Sequence, residues 1–281
     1  MHRARYRLLQ SWWREHVLGV PPGFNGRQYV GSLLPQDGRA DLNYLTDEVR
    51  VYAAERIPEI QASGGTLNTD RLRRNLLSSQ PLCFNVFGHL HCHPVSAAAV
   101  LSETFGVAID EVVRIEVEEA PLPAEHLGDR TAFDAFVDYR VGGSRQFLAV
   151  EVKYTEPFSQ KMYDRPEYRR LTAETGVFAE GAADRLIEPA TNQLWRQILL
   201  TLSLAAAGEY DGGRAAVLSL AGDAGVSKAV AGVAAEVTTE AVLPAVGSLE
   251  RLVTAAEVHP ELTSWAADFR TRYLDTTPLE S

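Results

Sequence analysis

Two carboxylates and one ammonium, Asp134, Glu151 and Lys153, interrupt neighbouring apolar runs of this chain. They sit in T-A-F-D-A-F-V-D-Y-R-V-G-G-S-R-Q-F-L-A-V-E-V-K-Y, residues 131–154. Oxygen-only ligation suits Mg2+ or Mn2+, which keep several waters and use one or two carboxylates plus a substrate phosphate. An ammonium beside such an ion can assist a water molecule. The combination points to hydrolysis of a phosphodiester.

The elements that must position these groups are two strands and a turn. Residues 131–141 and 144–154 are rich in Phe, Val, Leu and Tyr, and Gly142-Gly143 lies between them. Two glycines supply positive φ without a Cβ clash, a strong signal for a two-residue hairpin. If Val141 pairs with Ser144, counting back from the turn sets Asp134 directly opposite Glu151. Opposed residues share a face, with Cβ atoms about 4.5–5.5 Å apart. Lys153 falls on that face by strand periodicity. Ala135, Val137, Leu148, Val150 and Val152 form the other face and read as core. Opposed carboxylates repel unless a cation neutralises them. A turn one residue longer would slip the register and break the opposition.

The arrangement resembles the PD-(D/E)xK nuclease superfamily, with Asp134 and the E-V-K of Glu151 to Lys153 as the matched residues and Phe133 in place of the leading Pro. The resemblance implies an α/β fold: a restriction-endonuclease-like central mixed β-sheet flanked by helices, with N-terminal and C-terminal helical additions. It also implies a further metal ligand, Glu103 in P-V-S-A-A-A-V-L-S-E-T-F-G, and a catalytic helix residue, Gln193 in N-Q-L-W-R-Q. The segments G-D-R-T-A-F-D, E-V-K-Y-T-E and F-N-V-F-G are similar to a bacterial branch of restriction-type nucleases. In the mechanism this suggests, Asp134, Glu151, the carbonyl of Val152 and Glu103 hold one or two Mg2+ ions, for which Mn2+ substitutes. Lys153 orients or deprotonates the water, or stabilises the transition state. Gln193 and Arg196, three apart on one helix face, contact the nucleophile or a neighbouring phosphate.

Composition narrows the class. The chain has 281 residues, 46% hydrophobic and 23% charged, ordinary for a soluble globular protein. No run reaches the roughly 18 apolar residues of a membrane helix, and the start M-H-R-A-R-Y-R-L-L-Q-S-W-W does not read as a signal peptide. Two cysteines, Cys83 and Cys92, give no disulfide framework. The cytoplasm is the expected location. A net charge of −10 counts against generic nucleic-acid binding by a positive surface. Local arginines can still hold phosphates: Arg71, Arg73 and Arg74 in D-R-L-R-R-N, Arg169 and Arg170 in D-R-P-E-Y-R-R, and Arg196. Either cluster also fits a solvated helix face.

Periodicity and cap signals predict helices over about 5–17, 42–62 (ended by S-G-G), 70–78, 94–105, 192–207, 226–236, 247–257 and 260–274. Strands are predicted over about 110–118, in the hairpin, and over 214–222, a continuous apolar run of the kind buried on both faces. T-T-E-A-V-L-P suggests a last short strand. Residues 160–180 are polar and partly helical, placed to lie over the site. The expected division is 1–69 as an N-terminal helical extension, 70–240 as the nuclease core, and 241–281 as C-terminal helices of the same domain.

One rival constellation exists. G-H-L-H-C-H-P places His89, His91 and His93 around Cys92, which alone suggests a metal site of amidohydrolase type. Such a site needs further ligands downstream, and only His126 and His259 remain. The plainer reading is a loop whose imidazoles cap the helix at Pro94. No nucleotide-binding glycine motif and no G-x-S-x-G elbow is present. The sequence therefore favours a metal-dependent nuclease acting on nucleic acid, DNA before RNA, with a role in restriction or anti-phage defence implied only by the resemblance. So is a homodimer or a partner subunit in a defence system. The alternative is a non-catalytic nucleic-acid-binding or assembly subunit that keeps the fold; the intact Asp134, Glu151 and Lys153 set argues against it.

Overall fold

In the computed structural model, which describes residues 2–36, 40–63, 65, 67–122 and 125–280, the chain opens with α1 (His2–Trp12) and a π-helical turn, Trp13–Val17. A small ribbon, β1 (Gly23–Phe24) and β2 (Tyr29–Val30), precedes α2 (Asp47–Ala62). Thr46 caps α2 by accepting the Val49 N–H, and Asp47 and Glu48 place negative charge in its first turn, where the helix dipole favours it. Four short helical pieces follow: α3 (Thr69–Arg74), α4 (Ser79–Cys83), a π turn over Phe84–Gly88, and α5 (His89–Cys92). Next comes α6 (Pro94–Phe105), with proline in its first turn and Gly106 at φ +64° closing it.

The sheet begins with β3 (Glu111–Glu119), β4 (Phe133–Val141) and β5 (Ser144–Val152), an antiparallel meander. Gly142 and Gly143 take φ of +56° and +83°, as a type I′ hairpin turn requires. Val141 pairs with Ser144, and the register continues unbroken to Ala135 opposite Val150. The chain then crosses through α7 (Pro166–Glu174), α8 (Ala182–Leu186) and α9 (Asn192–Ala206) to β6 (Gly212–Ser219), parallel to β5. After α10 (Ala224–Ala234), β7 (Ala245–Ser248) adds in parallel to β6, and α11 (Leu249–Ala256) and α12 (Thr263–Tyr273) finish the fold. The sheet is mixed, five-stranded, in the order β3-β4-β5-β6-β7.

Strand alternation divides the core into two layers. Ala135, Val137, Leu148, Val150 and Val152 pack with residues of α1, α2, α6, α11 and α12. Phe136, Phe147, Ala149, Ala215 and Val217 pack with α7, α9 and α10 on the opposite face. Because both faces of β5 and β6 are covered, their centres are apolar almost without break. Among the described residues no helix is long and apolar enough to cross a membrane.

Some sequence expectations shift. The helix expected over 70–78 stops at Arg74, and a new one starts at Ser79, where Ser78 accepts the Gln80 N–H. The His-rich segment expected as a loop is helical over His89–Cys92, and His93 offers no side-chain cap to α6. The last strand is Ala245–Ser248, with only a 3-10 turn at Glu240–Val242. In the S-G-G stop signal, Gly64 lies outside the described residues.

Candidate functional site

The hairpin register brings Asp134 and Glu151 to one place. Their pair is the next step beyond Ala135–Val150, and the Asp134 Oδ2 accepts the Val152 N–H at 2.8 Å. On the other side of β4, Val117 pairs with Ala135 and Glu119 with Phe133, so Glu118 falls opposite Asp134. Three neighbouring strands therefore carry Glu118, Asp134 and Glu151 in a row. Glu118 has φ +55°, the single non-glycine residue with positive φ among the described residues. A left-handed glutamate costs on the order of 1–3 kcal/mol, and such strain clusters at functional sites. Gln80 of α4 donates to its Oε1 at 3.2 Å.

Helix α9 closes the site from the other side. Lys153 Nζ is 2.6 Å from Glu151 Oε1. Gln193 donates to that same oxygen, and its own Oε1 accepts from Lys153 at 3.4 Å and from the Ser159 N–H at 2.7 Å. Gln197, one turn further, donates to Glu151 Oε2 at 3.0 Å and to the Ala132 carbonyl at 2.9 Å. The Lys153 ammonium also lies 4.9 Å from the centre of the Phe158 ring.

Burial and crowding set the electrostatics. Glu151 and Lys153 are 3% and 7% exposed, whereas Asp134 and Glu118 are partly buried and keep some solvent contact. Burial, then the charges of Glu151 and Glu118, push the Asp134 carboxyl well above the usual range. Glu118 is raised chiefly by burial, with Glu151 adding to it against the Gln80 hydrogen bond. Burial opposes the Lys153 charge, but Glu151 and Asp134 outweigh it and hold the ammonium above the ordinary lysine range. Cys83, whose Sγ lies 3.1 Å from the Asp134 carbonyl, has a thiol raised by burial and by Asp134, so it stays protonated.

Other sequence candidates lie elsewhere. Glu103 is a correction: α6 packs against the opposite face of the sheet, and the Glu103 side chain is 64% exposed and paired with Arg251 at 3.2 Å. Glu118, not Glu103, stands beside Asp134. Arg74 is also corrected, since its buried guanidinium serves the Leu34 and Phe24 carbonyls and Asp70. Arg169 is held by Asp164 and Asp184, and Arg170 by Glu174. Arg71 and Arg73 are exposed, and the Arg71 charge reaches Glu118. Arg196 donates to Thr131 Oγ1 at 2.9 Å and stacks 4.5 Å from the Tyr163 ring, one turn from Gln193. Asp138, on the same face as Asp134, is buried but paired with Arg145 at 2.6 Å.

The three histidines do not converge. His91 turns to the Ile115 carbonyl, 2.7 Å from its Nδ1. His89 and His93 instead meet Glu48 of α2. Burial, with the neighbouring His93, lowers the His89 pKa to about 4, so the ring is neutral at pH 7. The amidohydrolase reading built on all three loses its geometry.

Of the residues that the sequence reading passed over, Gln197 carried a signal, four positions after Gln193 on the same helix face. Glu118 and Gln80 carried none that is local.

In comparison with known proteins, the family model described as PD-(D/E)XK nuclease superfamily matches residues 1–275, nearly the whole chain. A mixed sheet flanked by helices accords with the restriction-endonuclease-like α/β fold of that superfamily. No curated protein and no solved structure matches this chain.

Proposed function

We propose that this chain, which belongs to the PD-(D/E)XK nuclease superfamily, is a divalent-metal-dependent nuclease whose substrate is DNA. The observation that carries the reading is the row of three carboxylates, Glu118, Asp134 and Glu151, partly or fully buried, with Glu151 in contact with Lys153. The donor set fits a hard cation. Every ligand atom is oxygen, and burial together with mutual repulsion holds Asp134 and Glu118 toward their protonated forms, a cost that a doubly charged ion removes.

Asp134, Glu151, the Val152 carbonyl and Glu118 would hold Mg2+, with Mn2+ as a substitute. When bound, the ion lowers the pKa of a coordinated water and neutralises charge on the phosphate. Lys153, charged in this arrangement, places its ammonium where the phosphate oxygens gain negative charge. Gln193 sets both Lys153 and Glu151 in position, and Gln197 fixes the second Glu151 oxygen. Arg71 and Arg196 supply positive charge for the nucleic-acid backbone. A place in restriction or anti-phage defence, and action as a homodimer or with a partner subunit, complete the proposal by analogy with the family.

The test is cleavage of plasmid, linear duplex, single-stranded DNA and RNA in Mg2+, Mn2+ or EDTA. DNA is expected to be cut with either ion and spared in EDTA. Activity that survives EDTA, or a protein that cuts RNA alone, contradicts the proposal.

A further inference from the structure

Glu48, in the first turn of α2, and His89 and His93 around α5 each bring one ligand atom to a common point, all within 4.8 Å of one another. Glu48 Oε2 lies 3.2 Å from His89 Nδ1 and 3.0 Å from His93 Nε2. The two histidines are four positions apart at a helix end, so their rings share a face, with centroids 4.7 Å apart. His91 points away and packs against Tyr52, with ring centroids 4.6 Å apart and planes tilted by 44°.

The arrangement is incomplete as it stands. His89 is 3% exposed and stacked at 4.9 Å on Trp265, yet neither ring nitrogen makes a hydrogen bond. The approach of Glu48 to Nδ1 is close but misdirected for one. Leaving a buried polar group unsatisfied costs about 1–3 kcal/mol, and such a group needs an explanation. Two imidazoles with one carboxylate are ligands for a zinc-type ion rather than for Mg2+, and three protein ligands leave a further position for water. Access is available, because Glu48 and His93 side chains are 49% and 19% exposed.

We propose that Glu48, His89 and His93 form a second metal site that takes one first-row transition-metal ion of the zinc type and clips α2 to the α5–α6 junction. The clip has a mechanical purpose in the fold. Tyr52 and Arg56, one and two turns along α2 from Glu48, hold the Val117 N–H at 3.0 Å and the Val117 carbonyl at 2.9 Å. His91 of α5 holds the carbonyl of Ile115, two residues before Val117. Both joined elements therefore brace the free edge of β3, the strand that carries Glu118. The site is independent of the nuclease assignment.

The experiment titrates the untagged, EDTA-stripped and desalted full chain with Zn2+ by calorimetry and thermal melting. It uses Asp134→Asn as background, so that the row of carboxylates does not contribute. One Zn2+ per chain is expected to bind and raise Tm. Adding Glu48→Gln, at an exposed side chain, or His93→Gln, at a partly exposed one, is expected to weaken binding by about 100-fold or more and abolish the Zn2+-dependent rise. Binding that is unchanged by both substitutions, or no Zn2+ binding in the Asp134→Asn background, overturns the proposal.

Discussion

On one face of the sheet Glu118, Asp134 and Glu151 set three carboxylates in a row, with the Lys153 ammonium against Glu151; on the opposite face, Glu48 sits with two imidazoles, one of them buried and neutral. Both clusters are destabilising as they stand, for opposite reasons. The carboxylate row has excess negative charge that burial makes costly. The histidine cluster leaves both ring nitrogens of His89 without a hydrogen bond. A hard cation answers the first and a borderline one the second. The difference shows that donor chemistry, not the number of ionisable groups, separates the two sites.

The largest expected separation is in activity. Glu151→Gln should reduce Mg2+-dependent cleavage on the order of 100- to 1,000-fold, while Glu48→Gln should leave it within about twofold. Equal losses in single-turnover rate would erase the distinction. Glu118→Gln should lower the rate about tenfold and raise the Mg2+ concentration needed for half-maximal cleavage; an unchanged Mg2+ dependence would remove Glu118 from the ligand set.

Stability should move the other way. In EDTA, Asp134→Asn is expected to raise Tm by about 2–4 °C, because it removes a buried charge while keeping a side-chain oxygen for the Val152 N–H. A lower Tm would mean that the carboxylate is not held at a cost. The pH dependence carries the same contrast with opposite signs. The raised pKa of Asp134 gives stability that is full below the ordinary value of 3.8 and is lost as pH rises through the folded value. The lowered pKa of His89 gives stability that is present above 6.5 and is lost as pH falls toward about 4. Melting curves across pH in EDTA should lose the alkaline slope in Asp134→Asn and the acid slope in His89→Gln. An effect of similar size lies outside both clusters. Gly143→Ala, at φ +83° with open space around it, should cost about 1–2 kcal/mol in denaturant unfolding.

The hairpin was legible because a glycine pair fixes the turn and a period of two fixes every face from there outward. Glu118 was not. The alternation in β3 puts Glu116 and Glu118 on one side, but a register shift between Val112 and Arg114 and the left-handed turn at Glu118 decide which one meets Asp134. Those are matters of pairing and strain, invisible in local pattern. Helix α6 was placed correctly, yet Glu103 was assigned to the wrong surroundings. Its apolar stripe, Ala97, Val100, Leu101 and Phe105, already points Glu103 outward. The histidine cluster needed tertiary structure, because Glu48 lies on a different helix from His89 and His93.

The central claim is that Asp134 and Lys153 work with a divalent ion on a phosphodiester. Single-turnover cleavage of a defined DNA duplex, with Mg2+ and with EDTA, tests it most directly when wild type is run beside Asp134→Asn and Lys153→Ala. The expected result is Mg2+-dependent cleavage by wild type and loss on the order of 100-fold or more in each variant. Cleavage by either variant at the wild-type rate, or cleavage that persists in EDTA, would contradict it.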